Sequence, residues 1–320
     1  MVVIVGHTSA LEHWRTVGPA FLGSARQRRT ATSRARRILT SSEKPQLQGG
    51  SLRPAGCHLP LHVLIGPNAP RTRTGSITSH TWNHNAPDTA FVAAGTEFLI
   101  ASPELCFLQL ASTLSLEKLI LLGYELCGTY ALQTNASATQ RSSPLSTVAK
   151  LSAFATSMLC FPGRKKALRA VRYVLNGSAS PMETALSMML SLPHALGGYG
   201  ISAPLLNSRI DVPHSMRNRV DRSYCRPDLY WPEHRLCLEY DSALYHQNPE
   251  QQESDARRRN SLITLGYTVL TVSPHQVTDP ALFNRLAKQI ADLLGKRLRY
   301  TDPAFTRAHL HLRASLFSDH

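Results

Sequence analysis

The sequence predicts an α/β protein, on three observations. Residues 226–241 read as two short strands around a tight turn, and the second alternates: Leu236, Leu238 and Tyr240 point one way, Cys237, Glu239 and Asp241 the other. Helical patterns with end signals bracket this stretch. Ser180-Pro181-Met182-Glu183 has the form of a capping box, and Gly266 follows a helical run at the C′ position. Upstream, strand-like runs at 61–65 and 98–100 alternate with helical segments. The 320 residues leave room for two domains, and 42% hydrophobic residues suffice for a packed core.

In chain order, residues 2–5 form an initial apolar strand. Residues 9–15 form a short helix, with Ser9 and Glu12 spaced as a capping box. Residues 25–56 change character: Arg26, Arg28, Arg29, Arg34, Arg36 and Arg37 lie among small polar residues before Gly49-Gly50, which predicts a flexible basic segment. It is either an arm for phosphates or a solvated loop. Residues 57–140 form a small α/β domain, with strands at 61–65, around 71–80 and at 98–100. A helix opens at Ser102-Pro103, and a second spans 116–126. Residues 141–178 form a helical connector, in which Arg164, Lys165, Lys166, Arg169 and Arg172 make a basic face. Asn176-Gly177-Ser178 marks the domain boundary.

The C-terminal domain spans 179–298. A helix from Ser180 is followed by a Pro- and Gly-rich loop, a strand at 207–212, and the hairpin strands. A helix over 249–265, a buried strand at 267–272 and a last helix from Pro280 complete it. Residues 299–320 form a docked tail.

Suppose the hairpin loop is Glu233-His234. Pro232 then pairs with Arg235, and counting back sets Asp228 opposite Glu239 on one face, with Asp241 beyond. Converging carboxylates repel unless a cation lies between them. An all-oxygen set suits Mg²⁺ or Mn²⁺, and a metal held this way activates water against a phosphodiester.

Charge and cysteine usage narrow the partners. The formal net charge of +14 favours nucleic acid or another polyanion. Six scattered cysteines form no C-x-x-C pair, which argues against structural zinc and for reduced thiols in a cytoplasmic protein. A partial set of His234, Cys237 and Cys225 is discounted because Cys237 lies on a strand. No apolar run approaches ~20 residues, so no membrane partner is expected, and residues 2–5 are too short for a signal-peptide core.

The motifs Asp228, Glu239-x-Asp241, His246, Asp255-x-x-Arg258-x-x-x-Leu262 and Gly266-Tyr267-x-Val269-Leu270 resemble, in order and spacing, the very-short-patch-repair-like branch of the PD-(D/E)XK nuclease superfamily. The resemblance covers residues 179–298. It implies a restriction-endonuclease-like core, DNA as partner and Mg²⁺ (or Mn²⁺) as cofactor, with Asp228 and Glu239 as metal ligands. Asp241 and Glu183 join them, since the family often carries a metal-binding Glu on its first helix; capping alone also explains Glu183. A histidine near His246 lies close to the metal in the family, where it serves as general acid or base. This sequence departs from the superfamily at Asp241, which replaces the usual lysine of Glu-x-Lys. Arg258, or its neighbours Arg257 and Arg259, is the candidate stand-in, against the plain reading of surface ion pairs. More loosely, the middle region resembles abortive-infection-type antitoxins, without their winged helix, and residues 57–140 are the expected surface for a second copy or a partner protein.

Two functions follow as expectations: a Mg²⁺-dependent DNA endonuclease or nickase, or a non-catalytic DNA-binding, antitoxin-like regulator that keeps the fold. An ion pair such as Arg258 with Glu239 in the metal position would favour the second.

Overall fold

The computed structural model describes residues 2–42, 53–133, 137–220, 222–241, 249–300 and 302–317. The chain is α/β and divides into two compact units, Met1–Val174 and Leu175–His320.

In the first unit the fully buried strand β1 (Val3–Val5) runs into α1 (His7–Val17). The helix starts after Gly6, so Ser9 is not the expected cap. Its hydroxyl instead accepts the His62 N–H, and the Glu12 carboxylate accepts that of His58. Residues 25–39, expected to be flexible, form α2 (Ala25–Leu39), closed at its start by a Ser24–Gln27 capping box. Ala31, Thr32, Ala35 and Leu39 make its buried stripe. Its arginines find fixed partners: Arg28 reaches Glu104 at 2.9 Å and Arg36 reaches Asp88 at 2.8 Å. Gly66 is required where α2 ends against the sheet, because a Cβ there would lie 2.1 Å from the Leu39 carbonyl oxygen.

The strands β2 (Leu61–Ile65), β3 (Ile77–Thr81), β4 (Phe91–Ala94) and β5 (Phe98–Ala101) join β1 in one mixed sheet, ordered β3-β2-β1-β5-β4. Of the stretch around 71–80 only its end is strand. Beyond the sheet, α3 (Pro103–Leu110) and α4 (Leu116–Cys127) are capped by Ser102 and Ser115, and the hairpin β6 (Tyr130–Leu132) with β7 (Ala138–Gln140) follows. The expected connector is not a separate element: α5 (Val148–Ser157) and α6 (Arg164–Val171) pack on α3 and α4 within this unit. Part of the basic face of α6 serves the fold, with Lys166 donating to the Leu114 carbonyl and Arg164 to that of Ala155.

In the second unit α7 (Pro181–Ser191) starts at the Ser180 cap. The strand expected at 207–212 is broken. β8 (Leu205–Leu206) belongs to the main sheet, whereas β9 (Ile210–Asp211) pairs with β10 (Tyr224–Cys225) in a separate ribbon. The break lies at Asn207, whose φ of 47° turns the chain out of extended geometry. β11 (Leu229–Trp231) and β12 (Leu236–Tyr240) pair antiparallel, α8 (Pro249–Thr264) crosses over, and β13 (Thr268–Val272) lies parallel to β12. The sheet order is β13-β12-β11-β8. Gly266, at φ 79°, closes α8 as expected. After α9 (Pro274–Thr278) and α10 (Pro280–Leu293), the tail folds as α11 (Ala304–Phe317), with Phe305, His309, Leu312, Arg313 and Leu316 buried. No helix among the described residues is long and apolar enough to cross a membrane.

Candidate functional site

The site is built on the β11–β12 pair. Its register is Leu229↔Leu238, Tyr230↔Cys237, Trp231↔Leu236, which sets Asp228 level with Glu239 as the alternation predicts. The turn differs from expectation. Pro232–His234 form one 3-10 turn and Arg235 adopts φ 49°, so four residues connect the strands instead of two. Both loop lengths are even, which preserves the register and the facing of every side chain.

Asp228 follows Pro227 and lies just before β11. Its carboxylate accepts the Tyr240 N–H at 2.7 Å, which ties it to the far end of β12. Glu239 is 4% exposed, on the face that α8 covers. A charge buried there needs a cation, and Arg258 provides it: its guanidinium donates to Glu239 Oε2. Leu262, one turn further along α8, packs in the apolar cluster of Ile210, Cys225 and Cys237, so the same helix face carries Arg258 to Glu239. The neighbouring arginines diverge. Arg257 pairs with Glu253 in solvent, and Arg259 comes within 3.8 Å of Asp241.

Glu183 does two things. Its backbone N–H donates to the Ser180 cap, and its carboxylate accepts from the Ala179 N–H at 2.7 Å and from Asn207 Nδ2 at 2.6 Å. Burial first, then the nearby Asp228 carboxylate, push its pKa up to about 7. Glu183 thus lies near Asp228, and the strand register sets Asp228 level with Glu239, with Asp241 two residues further along the chain. Arginines meet two of the four carboxylates, Arg258 at Glu239 and Arg259 at Asp241, whereas amide N–H groups donate to Glu183 and Asp228. Among the described residues, no group of three or more His, Cys, Asp or Glu is arranged to hold a metal ion. His246 and the Asp255 side chain lie outside the described residues.

Cys225 and Cys237 are free and buried, and desolvation raises both thiols, Cys237 to about 12.

Residues that the sequence reading passed over border the site. Arg222, Tyr224, Cys225 and Arg226 line a cavity of about 370 Å³ together with Arg258. The Tyr224 ring carries Arg209 at 4.2 Å and Arg226 at 5.5 Å from its centroid. The available signal was the run Arg217, Arg219, Arg222 and Arg226 directly before Asp228. The arrangement offers carboxylates for a cation beside guanidinium groups for an anion.

No family model matches the chain, and no curated protein or solved structure matches it either.

Proposed function

We propose that the second unit is a Mg²⁺-dependent DNA endonuclease or nickase of the PD-(D/E)XK type. The observation that carries this reading is the register of β11 and β12, which sets Asp228 level with Glu239, beside a cavity lined by Arg222, Arg226 and Arg258. Two carboxylates fit Mg²⁺, which keeps most of its waters and takes one or two protein carboxylates; Mn²⁺ has the same preference for oxygen. In this reading Asp228 and Glu239 hold the ion, and Glu183 and Asp241 assist. When bound, the ion supplies an acidified water and positive charge at the phosphate. Arg258 takes the part of the superfamily's lysine: it lies against Glu239 and lines the cavity, where its N–H groups can donate to a phosphate oxygen. Arg222 and Arg226, on the same wall, hold the DNA backbone. His246 remains the candidate general acid or base.

One observation favours a second reading. Arg258 already neutralises Glu239, as it would in a non-catalytic DNA-binding or antitoxin-like regulator that retains a degenerate nuclease fold. Two variants separate the readings. Under the first, Asp228→Asn and Glu239→Gln lower Mg²⁺-dependent plasmid cleavage by at least about a hundredfold and leave DNA affinity within a few fold. Parent-like cutting by both variants would discard the site. DNA binding without any cutting, by parent and variants alike, would select the regulator.

A further inference from the structure

The first unit carries a separate cluster, on which the reading of the second unit does not depend. His7 follows β1, His62 lies on β2 and His80 on β3. His62 Nδ1 and His80 Nε2 are 2.9 Å apart, and the His7 and His80 rings stack at 3.8 Å. Burial, reinforced by neighbouring histidines, holds His7 down to about 3 and His80 to about 4, so both rings are neutral at neutral pH. His7 keeps φ at 52°, a conformation that non-glycine residues adopt seldom and mostly where the surroundings enforce it. His7 and His80 border a cavity of about 270 Å³ whose wall includes Arg71, Trp82, Gln109 and Phe161.

Gln109 is the informative residue. It is 1% exposed, and its Oε1 accepts the His7 N–H at 2.9 Å. A backbone N–H only donates, so this bond fixes which end of the amide is oxygen. Nε2 is then left as a buried donor, and among the described residues it has no hydrogen-bond partner. A buried donor of this kind is satisfied by an ordered water or by an acceptor on a bound molecule. Gly6 leaves space for the amide: a Cβ there would lie 3.0 Å from both of its polar atoms.

We infer that this cavity binds a nucleoside monophosphate. Trp82 and Phe161, 5.7 Å apart between ring centroids, form an aromatic wall for a planar base. Gln109 Nε2 offers one donor to a base carbonyl. Arg71 is oriented by its Nε bond to Thr81 Oγ1 at 3.1 Å, and its remaining N–H groups suit a phosphate. The cavity, at about 270 Å³, lies just below the usual range of ligand sites, about 300–1,000 Å³, which excludes an oligonucleotide and leaves room for the base of a single nucleotide with its phosphate at the exposed Arg71.

The test is calorimetric titration of the full chain with AMP, GMP, CMP and UMP, with inorganic phosphate and the matching nucleoside as controls. Saturable 1:1 binding of at least one monophosphate is expected. Gln109→Glu keeps the acceptor for His7 and loses the donor, and it should weaken binding tenfold or more. Arg71→Ala, at an exposed position, should do the same and remains informative if the first variant does not fold. The inference is overturned if no monophosphate binds, if binding survives the substitutions unchanged, or if phosphate or the nucleoside alone binds as tightly.

Discussion

Arg258 decides how the carboxylate site is read. Glu239 is almost fully buried, and removal of a buried charge's partner costs about 3–5 kcal/mol. Arg258 is 29% exposed, so Arg258→Ala is expected to lose about 3 kcal/mol, read from urea unfolding. If Glu239 is a metal ligand, Mg²⁺ will raise the Tm of this variant more than that of the parent; equal shifts would assign Glu239 to ion pairing alone. The pair was partly legible in the sequence. Asp228 and Glu239 follow from strand alternation, but the choice among three consecutive arginines needed the phase of α8. Leu262 provides that phase, since a buried leucine one turn on sets Arg258 on the sheet-facing side. His7, His62 and His80 were not legible as a group, because three different elements carry them together. Their titration makes a separate prediction. The folded pKa values of His7 and His80 lie below the unfolded value of 6.5, so the unfolded chain takes up protons first as pH falls. Stability is then fully present above pH 6.5 and is lost as pH falls toward about 4 and 3. His7→Asn, which tolerates the backbone conformation, should lose less stability between pH 7 and pH 5 than the parent. A parent-like loss would show that His7 contributes nothing to the acid sensitivity.

At the scale of elements, α2 shows where composition misleads. Arginine among serine, threonine and alanine reads as a solvated segment. The helix is held instead by partners far along the chain: Glu104 is 76 residues from Arg28, and Asp88 is 52 from Arg36. Glu104 is 4% exposed and also accepts the Ser146 hydroxyl. Arg28→Ala should therefore destabilise the first unit by about 3–5 kcal/mol, the cost of an uncompensated buried carboxylate. A loss below about 0.5 kcal/mol, the size expected of a surface pair, would return α2 to the status of a loose basic arm. The β11–β12 hairpin shows the opposite case. Its turn was misread, yet its register was legible, because the period of two fixes side-chain facing for any even loop. The N-cap at Ser180 and the C′ glycine at Gly266 were legible for a similar reason, since local backbone chemistry alone determines them. The reciprocal half of the expected capping box does not form, because the Glu183 carboxylate accepts from the Ala179 N–H instead of that of Ser180.

At the scale of the whole molecule, the two units divide the chemistry. The first carries a histidine and amide cavity; the second carries carboxylates at a sheet end beside arginines. The net charge of +14 predisposes the chain to polyanions in either role. It does not separate an enzyme from a binder, and neither does the α/β architecture. The decisive measurement is the topology of supercoiled plasmid incubated with the purified chain in Mg²⁺ or in EDTA, with an identically purified Glu239→Gln protein alongside. The account predicts that the parent converts the plasmid to open-circular or linear form in Mg²⁺ and not in EDTA, and that Glu239→Gln leaves it supercoiled. A parent that binds the plasmid but leaves it supercoiled in Mg²⁺ and in Mn²⁺ would contradict it.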